Sequence, residues 1–148
     1  MKYRKRILLA LFIAFIAIQF IQPARNKSGQ VLPTDISKTV TVPENVQAIL
    51  QNACYDCHSN NTHYPWYSYI QPVGWLLNSD IKQGKENLNF SDFGSYSPRR
   101  QRSKLREIET SVNEGSMPLS AYTFIHQQAK LTTADKNLLI QWAQTLSK

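Results

Sequence analysis

Apolar positions are distributed unevenly along this 148-residue chain. One run, Ile7 to Ile21 (ILLALFIAFIAIQFI), is broken only by Gln19. Residues 23–42 (PARNKSGQVLPTDISKTVTV) are polar, hold Pro, Gly and Ser, and show no helical period, which is the composition of a tether. From Pro43 the pattern changes. Proline suits a first helical position and Glu44 a first turn, and Val46, Ile49, Leu50 and Ala53 recur at i, i+3, i+4 and i+7. One apolar stripe thus leads into Cys54. A second helix is predicted over 72–83, with Val73, Leu76, Leu77 and Ile81 inward and Gly84 as C-cap. A third has Ser97 as N-cap, Pro98 at its first position and Gly115 just past its end; its thin apolar face (Leu105, Ile108, Val112) places it on the surface. The last opens with a Thr132/Asp135 capping-box pair and carries Leu138, Leu139, Trp142, Ala143 and Leu146 on one face. No stretch alternates with strand period. The chain therefore reads as an all-α domain over 43–148, behind a linker at 23–42 and an N-terminal segment at 1–22.

Charge sharpens the reading of that segment. The net charge is +7, but six of the 17 basic residues and none of the 10 acidic ones lie in residues 1–30. That leaves residues 31–148 with 11 against 10. A nearly neutral domain lacks the sustained basic surface that nucleic acid requires. Lys2, Arg4, Lys5 and Arg6 directly before the apolar run form instead the charged and apolar regions of an export signal. No small-x-small cleavage site follows, so the expectation is an uncleaved signal-anchor, with a cleaved signal as the alternative. The positive-inside rule then leaves residues 1–6 in the cytoplasm and the domain on the periplasmic side of the cytoplasmic membrane.

The chain has two cysteines, and both fall in Cys54-Tyr55-Asp56-Cys57-His58. Two thiols at this spacing can add across the two vinyl groups of a haem while the adjoining imidazole reaches the iron. Competing uses of such a string fit less well. A thioredoxin-like pair follows a strand, whereas a helix is predicted here; structural zinc needs about four ligands, with only His63 and His126 to add; a plain disulfide gives His58 no purpose. The expected cofactor is one covalent haem c. For the sixth iron ligand, Met117 stands in a polar Gly115-Ser116-Met117-Pro118 turn rather than on an apolar face, and Met/His ligation suits electron transfer; His126 and His63 remain rivals. Tyr64, Trp66, Tyr67 and Tyr69 follow the attachment string closely and could wall the haem or fill the core. The run Arg99, Arg100, Arg102, Lys104 and Arg106 reads as a solvated helix face, or as a patch for an acidic redox partner or a propionate.

These residues resemble the small cytochrome c-like haem-binding domain proteins of bacterial envelopes. The stretches that carry the resemblance are CYDCHSNNTHYPWYSYIQPVGW (54–75), GKENLNFSDF (84–93), GSMPLSAYTFIH (115–126) and LTTADKNLLIQWA (131–143). The resemblance implies a small cytochrome c-like fold, one covalent haem, His58 as proximal ligand and Met117 within a Met-Pro motif. The chain departs from the family at Asp80, where a histidine is common, and at Gln127, where a proline often stands. Three functions use such a site. A one-electron carrier or relay, with a redox partner unknown, needs methionine held firmly. A small peroxidase needs a displaceable distal ligand and a nearby acid/base, for which His126 is the candidate. A haem-based sensor or accessory module needs a conformational readout.

Overall fold

A computed structural model describes residues 2–148; Met1, the first residue of the 1–22 segment, lies outside it. Helix α1 spans Lys2–Ile18, α2 Ile36–Thr39, α3 Glu44–Ala53, α4 Tyr55–His58, α5 Val73–Asn87, α6 Pro98–Glu114, α7 Ser120–Ile125 and α8 Thr133–Leu146, with short 3-10 turns at Trp66–Tyr69, Phe90–Ser95 and Gln127–Ala129. Among the described residues there is no strand, only an isolated bridge between Lys27 and Asn61. The domain is all-α.

Local chemistry accounts for the helix ends. Ser97 accepts from the Arg100 amide at the start of α6, and Gly115 closes that helix in the left-handed region at φ 70°, a conformation that costs glycine little. Thr132 and Asp135 cap α8 reciprocally, the Thr132 amide donating to Asp135 Oδ2 at 2.9 Å and the Asp135 amide to Thr132 Oγ1 at 3.1 Å. Helix α3 buries Val46, Leu50 and Ala53, the stripe that its period predicts. Leu105 and Val112 of α6 meet Leu139, Trp142 and Ala143 of α8 in a single core. The largest fully buried side chains, Phe90 and Phe93, come from the 3-10 turn after α5, where no helical period marks them.

Two expectations change. Helix α5 runs to Asn87, so Gly84 is not its cap but an interior residue facing inward with Gly74 and Ile81. Val73 and Leu76, predicted inward, face out. Residues 23–42 are not a free tether. The Ser28 amide donates to Asn60 O at 2.9 Å, Asn26 Nδ2 to Ser59 O at 2.7 Å, and Ile36 is 0% exposed within the core. The polar composition that suggested a tether belongs to side chains satisfying one another on the domain surface.

Helix α1 is apolar all round from Ile7 onward, yet its side chains lie exposed from Tyr3 to Ile16, so it is no core helix. No described helix is long and apolar enough to cross a membrane. Seventeen residues span about 26 Å, somewhat less than a hydrocarbon core of about 30 Å.

The altered reading of residues 23–42 can be tested at Ile36. Ile36→Ala is expected to cost about 2–5 kcal/mol, the usual loss for a fully buried isoleucine, measured by chemical denaturation. A tether would leave the midpoint unmoved.

Candidate haem site

The attachment string lies where α3 passes into α4. Cys54 caps both helices, at the end of one and the start of the other, so the two thiols and His58 are presented by one continuous bend. Helix α5 packs directly on it. A Cβ added to Gly84 would stand 2.7 Å from the Cys57 carbonyl oxygen, closer than any side chain tolerates, so the approach requires glycine. One turn further on, Leu88 O lies 2.9 Å from His58 Nδ1. A carbonyl only accepts, so Nδ1 carries the proton and Nε2 keeps its lone pair for a metal. Burial lowers the His58 pKa below its ordinary value, against the backbone hydrogen bonds that raise it. The ring is therefore neutral and ligand-competent near neutral pH.

Cys54, Cys57 and His58 open onto a cavity of about 590 Å³, within the usual range for small-molecule and cofactor sites. Leu88, Phe90, Val112 and Leu139 give it apolar walls, and Met117 stands in its lining with Pro118 and Leu119. Burial pushes the Cys54 and Cys57 thiols up to about 12, with help from Cys57 in the first case and from Asp56 and Asp80 in the second. Both cysteines are free, and both are neutral thiols at ordinary pH. Met117 is placed by the backbone that leaves α6. The amides of Ser116 and Met117 both reach Ser111 O, at 3.0 and 3.3 Å, and the residue is 37% exposed. Two thiols, an imidazole with one nitrogen held, a thioether and apolar walls fit a haem. Among the described residues no group of three or more His, Cys, Asp and Glu side chains is placed to hold a bare metal ion.

The rival ligands lie elsewhere. His126 Nε2 is engaged by the Tyr67 hydroxyl, and its ring stacks on Tyr122 at 4.3 Å. His63 is exposed, with its amide donating to Asp56 Oδ1 at 2.9 Å. Neither lines the cavity. The expected aromatic wall is also absent from it. Tyr64 and Tyr69 lie beneath the Arg25 guanidinium, at 4.4 and 4.0 Å, and Trp66 faces outward, because residues 64–69 pack on the returning chain at 22–26. Of the basic run on α6, Arg106 lines the cavity, whereas Arg100 covers the Tyr96 ring and Lys104 pairs with Glu107 at 2.6 Å. Asp80, at the family's histidine position, also lines the cavity, and partial burial raises its carboxyl.

Tyr122 carried no expectation from the sequence. It lines the cavity and donates its hydroxyl to Asp56 Oδ2 at 2.7 Å, tying α7 to α4 between the two cysteines. Burial and the Asp56 hydrogen bond both raise its pKa. Gly84, read as a cap, is the second missed contributor.

Comparison with known proteins agrees with this geometry. A family described as a haem-binding domain matches residues 13–145. The cytochrome c peroxidase Ccp of Escherichia coli (strain K12) is 25% identical over 122 residues, covering 80% of this chain and 25% of that protein. The chain thus spans about a quarter of the length of that relative. No solved structure matches.

Gly84→Ala tests the close approach. The added methyl must displace α5 from Cys57, so a loss of about 1–3 kcal/mol is expected, as for other overpacked sites, together with a smaller fraction of chains carrying haem. An unchanged denaturation midpoint with full haem loading would contradict it.

Proposed function

The chain belongs to the haem-binding domain family, and from that premise we propose that it holds one haem c as an electron relay outside the cytoplasmic membrane. Cys54 and Cys57 are its attachment points, His58 its proximal ligand and Met117 its distal one. The observation that carries the proposal is the meeting of these four side chains, from two distant parts of the sequence, on the walls of one apolar cavity. When bound, the haem supplies the one-electron chemistry. In attachment, each thiol sulfur bonds to one vinyl carbon and its proton goes to the neighbouring carbon, so nothing is oxidised or reduced.

The protein's part is orientation and tuning. The Leu88 carbonyl fixes the His58 ring and its tautomer. The methionine thioether favours the reduced iron and raises the potential. Arg106, on the cavity lining, is suited to pair with a propionate. Residues 1–22 act as a signal-anchor: the cations Lys2, Arg4, Lys5 and Arg6 stay inside and the domain lies in the periplasm. For α1 to span, the apolar residues that continue it in turns to Ile21 must lie in the bilayer too.

A peroxidase is the second reading, favoured by the relative named above. It needs Met117 to leave the iron and a proton-holding group at the cavity. Tyr122 with Asp56 meets that need better than His126, which lies outside the lining.

The optical spectrum of the oxidised protein with Met117→Ala beside it separates these ideas. The weak near-red band of methionine ligation is expected to vanish in the variant. The potential should fall by on the order of 0.1 V, a fraction of the roughly 0.8 V that axial ligation commands. A band and potential unchanged in the variant would remove Met117 from the iron.

A further inference from the structure

Gln19 interrupts an otherwise apolar run, and the structure gives it a task. Its side chain makes a two-way hydrogen bond with the backbone of Gln71, accepting from the amide at 2.8 Å and donating to the carbonyl at 3.2 Å. Gln22 Nε2 donates to Tyr69 O at 3.0 Å, Gln71 Nε2 donates to Gln22 Oε1 at 3.0 Å, and Trp75 Nε1 donates to Ile21 O at 2.8 Å. Gln71 itself is fully buried. The end of the α1 segment is therefore fastened to residues 69–75, not hung on a flexible linker.

Around this junction the apolar side chains point away from the core. Phe20 is 84% exposed, Trp66 76% and Leu76 65%, and Ile21, Tyr69, Ile70 and Val73 are open as well. Helix α5 is reversed at its start, with Gly74 inward and Val73 and Leu76 outward. Beside them Arg25, Lys82 and Lys85 line a second cavity with a single carboxylate, Glu86, although Lys85 also donates to Asn26.

We infer that this collar, Phe20 and Ile21 with Trp66, Tyr69, Ile70, Val73 and Leu76, is a lipid-docking surface that seats the haem domain in the interfacial layer of the membrane. The inference rests on the anchor reading of α1. Lipid is the occupant for three reasons: the collar is continuous with a helix that from Ile7 onward is exposed and apolar on every side, Trp and Tyr are the residues of the membrane interface, and the adjacent cations complement anionic headgroups. Helix α5 then runs from the collar at Val73 to the haem cavity at Asp80, Gly84 and Asn87. At 1.5 Å per residue this is roughly 10–20 Å along the helix, so the cavity lies within that reach of the collar.

Spin labels on the full-length holoprotein in vesicles of phosphatidylcholine and phosphatidylglycerol test this, with intact mass confirming that Cys54 and Cys57 are blocked by haem. Labels at Phe12→Cys, Leu76→Cys and the exposed control Arg99→Cys are read by collision with oxygen, which partitions into lipid, and with a water-soluble nickel chelate. The expected result is several-fold greater oxygen-to-nickel accessibility at positions 12 and 76 than at 99. A lipid-embedded position 12 with position 76 as aqueous as position 99 would overturn the docking surface and leave the anchor standing. An aqueous position 12 would overturn both. A position 76 label shielded from both reagents and dipolar-coupled to a second label would make the collar a protein–protein interface instead.

Discussion

Without a side chain at Gly84, α5 can run against the backbone carbonyl of Cys57, and much of the site follows from that approach. It places Leu88 one turn later, where its carbonyl holds His58 Nδ1 at 2.9 Å. It also delivers Phe90, just beyond the helix, to the ring of Tyr55 at 5.2 Å and to the edge of His58 at 6.1 Å. A larger residue at position 84 would displace Leu88 and Phe90 together. The interior is close-packed and shifts as a unit rather than yielding atom by atom.

The side of the cavity that holds Met117 depends on a different constraint. Gly115 ends α6 in a conformation that favours glycine, and the amides of the next two residues share the Ser111 carbonyl. Met117 is thus aimed by backbone bonds rather than by packing of its own flexible side chain, which by itself specifies little. Tyr122 braces the opposite direction through Asp56. The Tyr122–Asp56 hydrogen bond thus joins the α7 wall of the cavity to the attachment string, while Leu88, Phe90, Val112 and Leu139 supply its apolar walls.

Elements governed by local rules were legible in the sequence: the stripe of α3, the caps of α6 and α8, and the Cys-x-x-Cys-His string. The place of Met117 on the cavity lining was legible because a methionine in a polar turn has no packing reason to be there. What escaped notice depends on residues far apart in the chain. Gly84 looks the same locally whether it caps a helix or admits a neighbour, and only the approach of Cys57 distinguishes the two. The segment 23–42 looks like a tether because its polar groups give no period, yet they find partners such as Asn60 and Ser91 across the fold. The tyrosines and tryptophan after the string suit either a haem wall or core packing, because proximity in sequence does not tell the two apart. In space Tyr64 and Tyr69 lie beneath Arg25, Tyr67 engages His126 and Trp66 faces outward, and Phe90 with Tyr122 takes the place at the cavity.

The central claim is that Cys54 and Cys57 attach one haem. Intact mass of the exported chain, taken under denaturing conditions after expression with haem-attachment machinery, addresses it directly. The account predicts a gain of one haem that survives unfolding and disappears in the Cys54→Ala/Cys57→Ala double variant. A bare polypeptide mass, or a haem that leaves on unfolding, would contradict it.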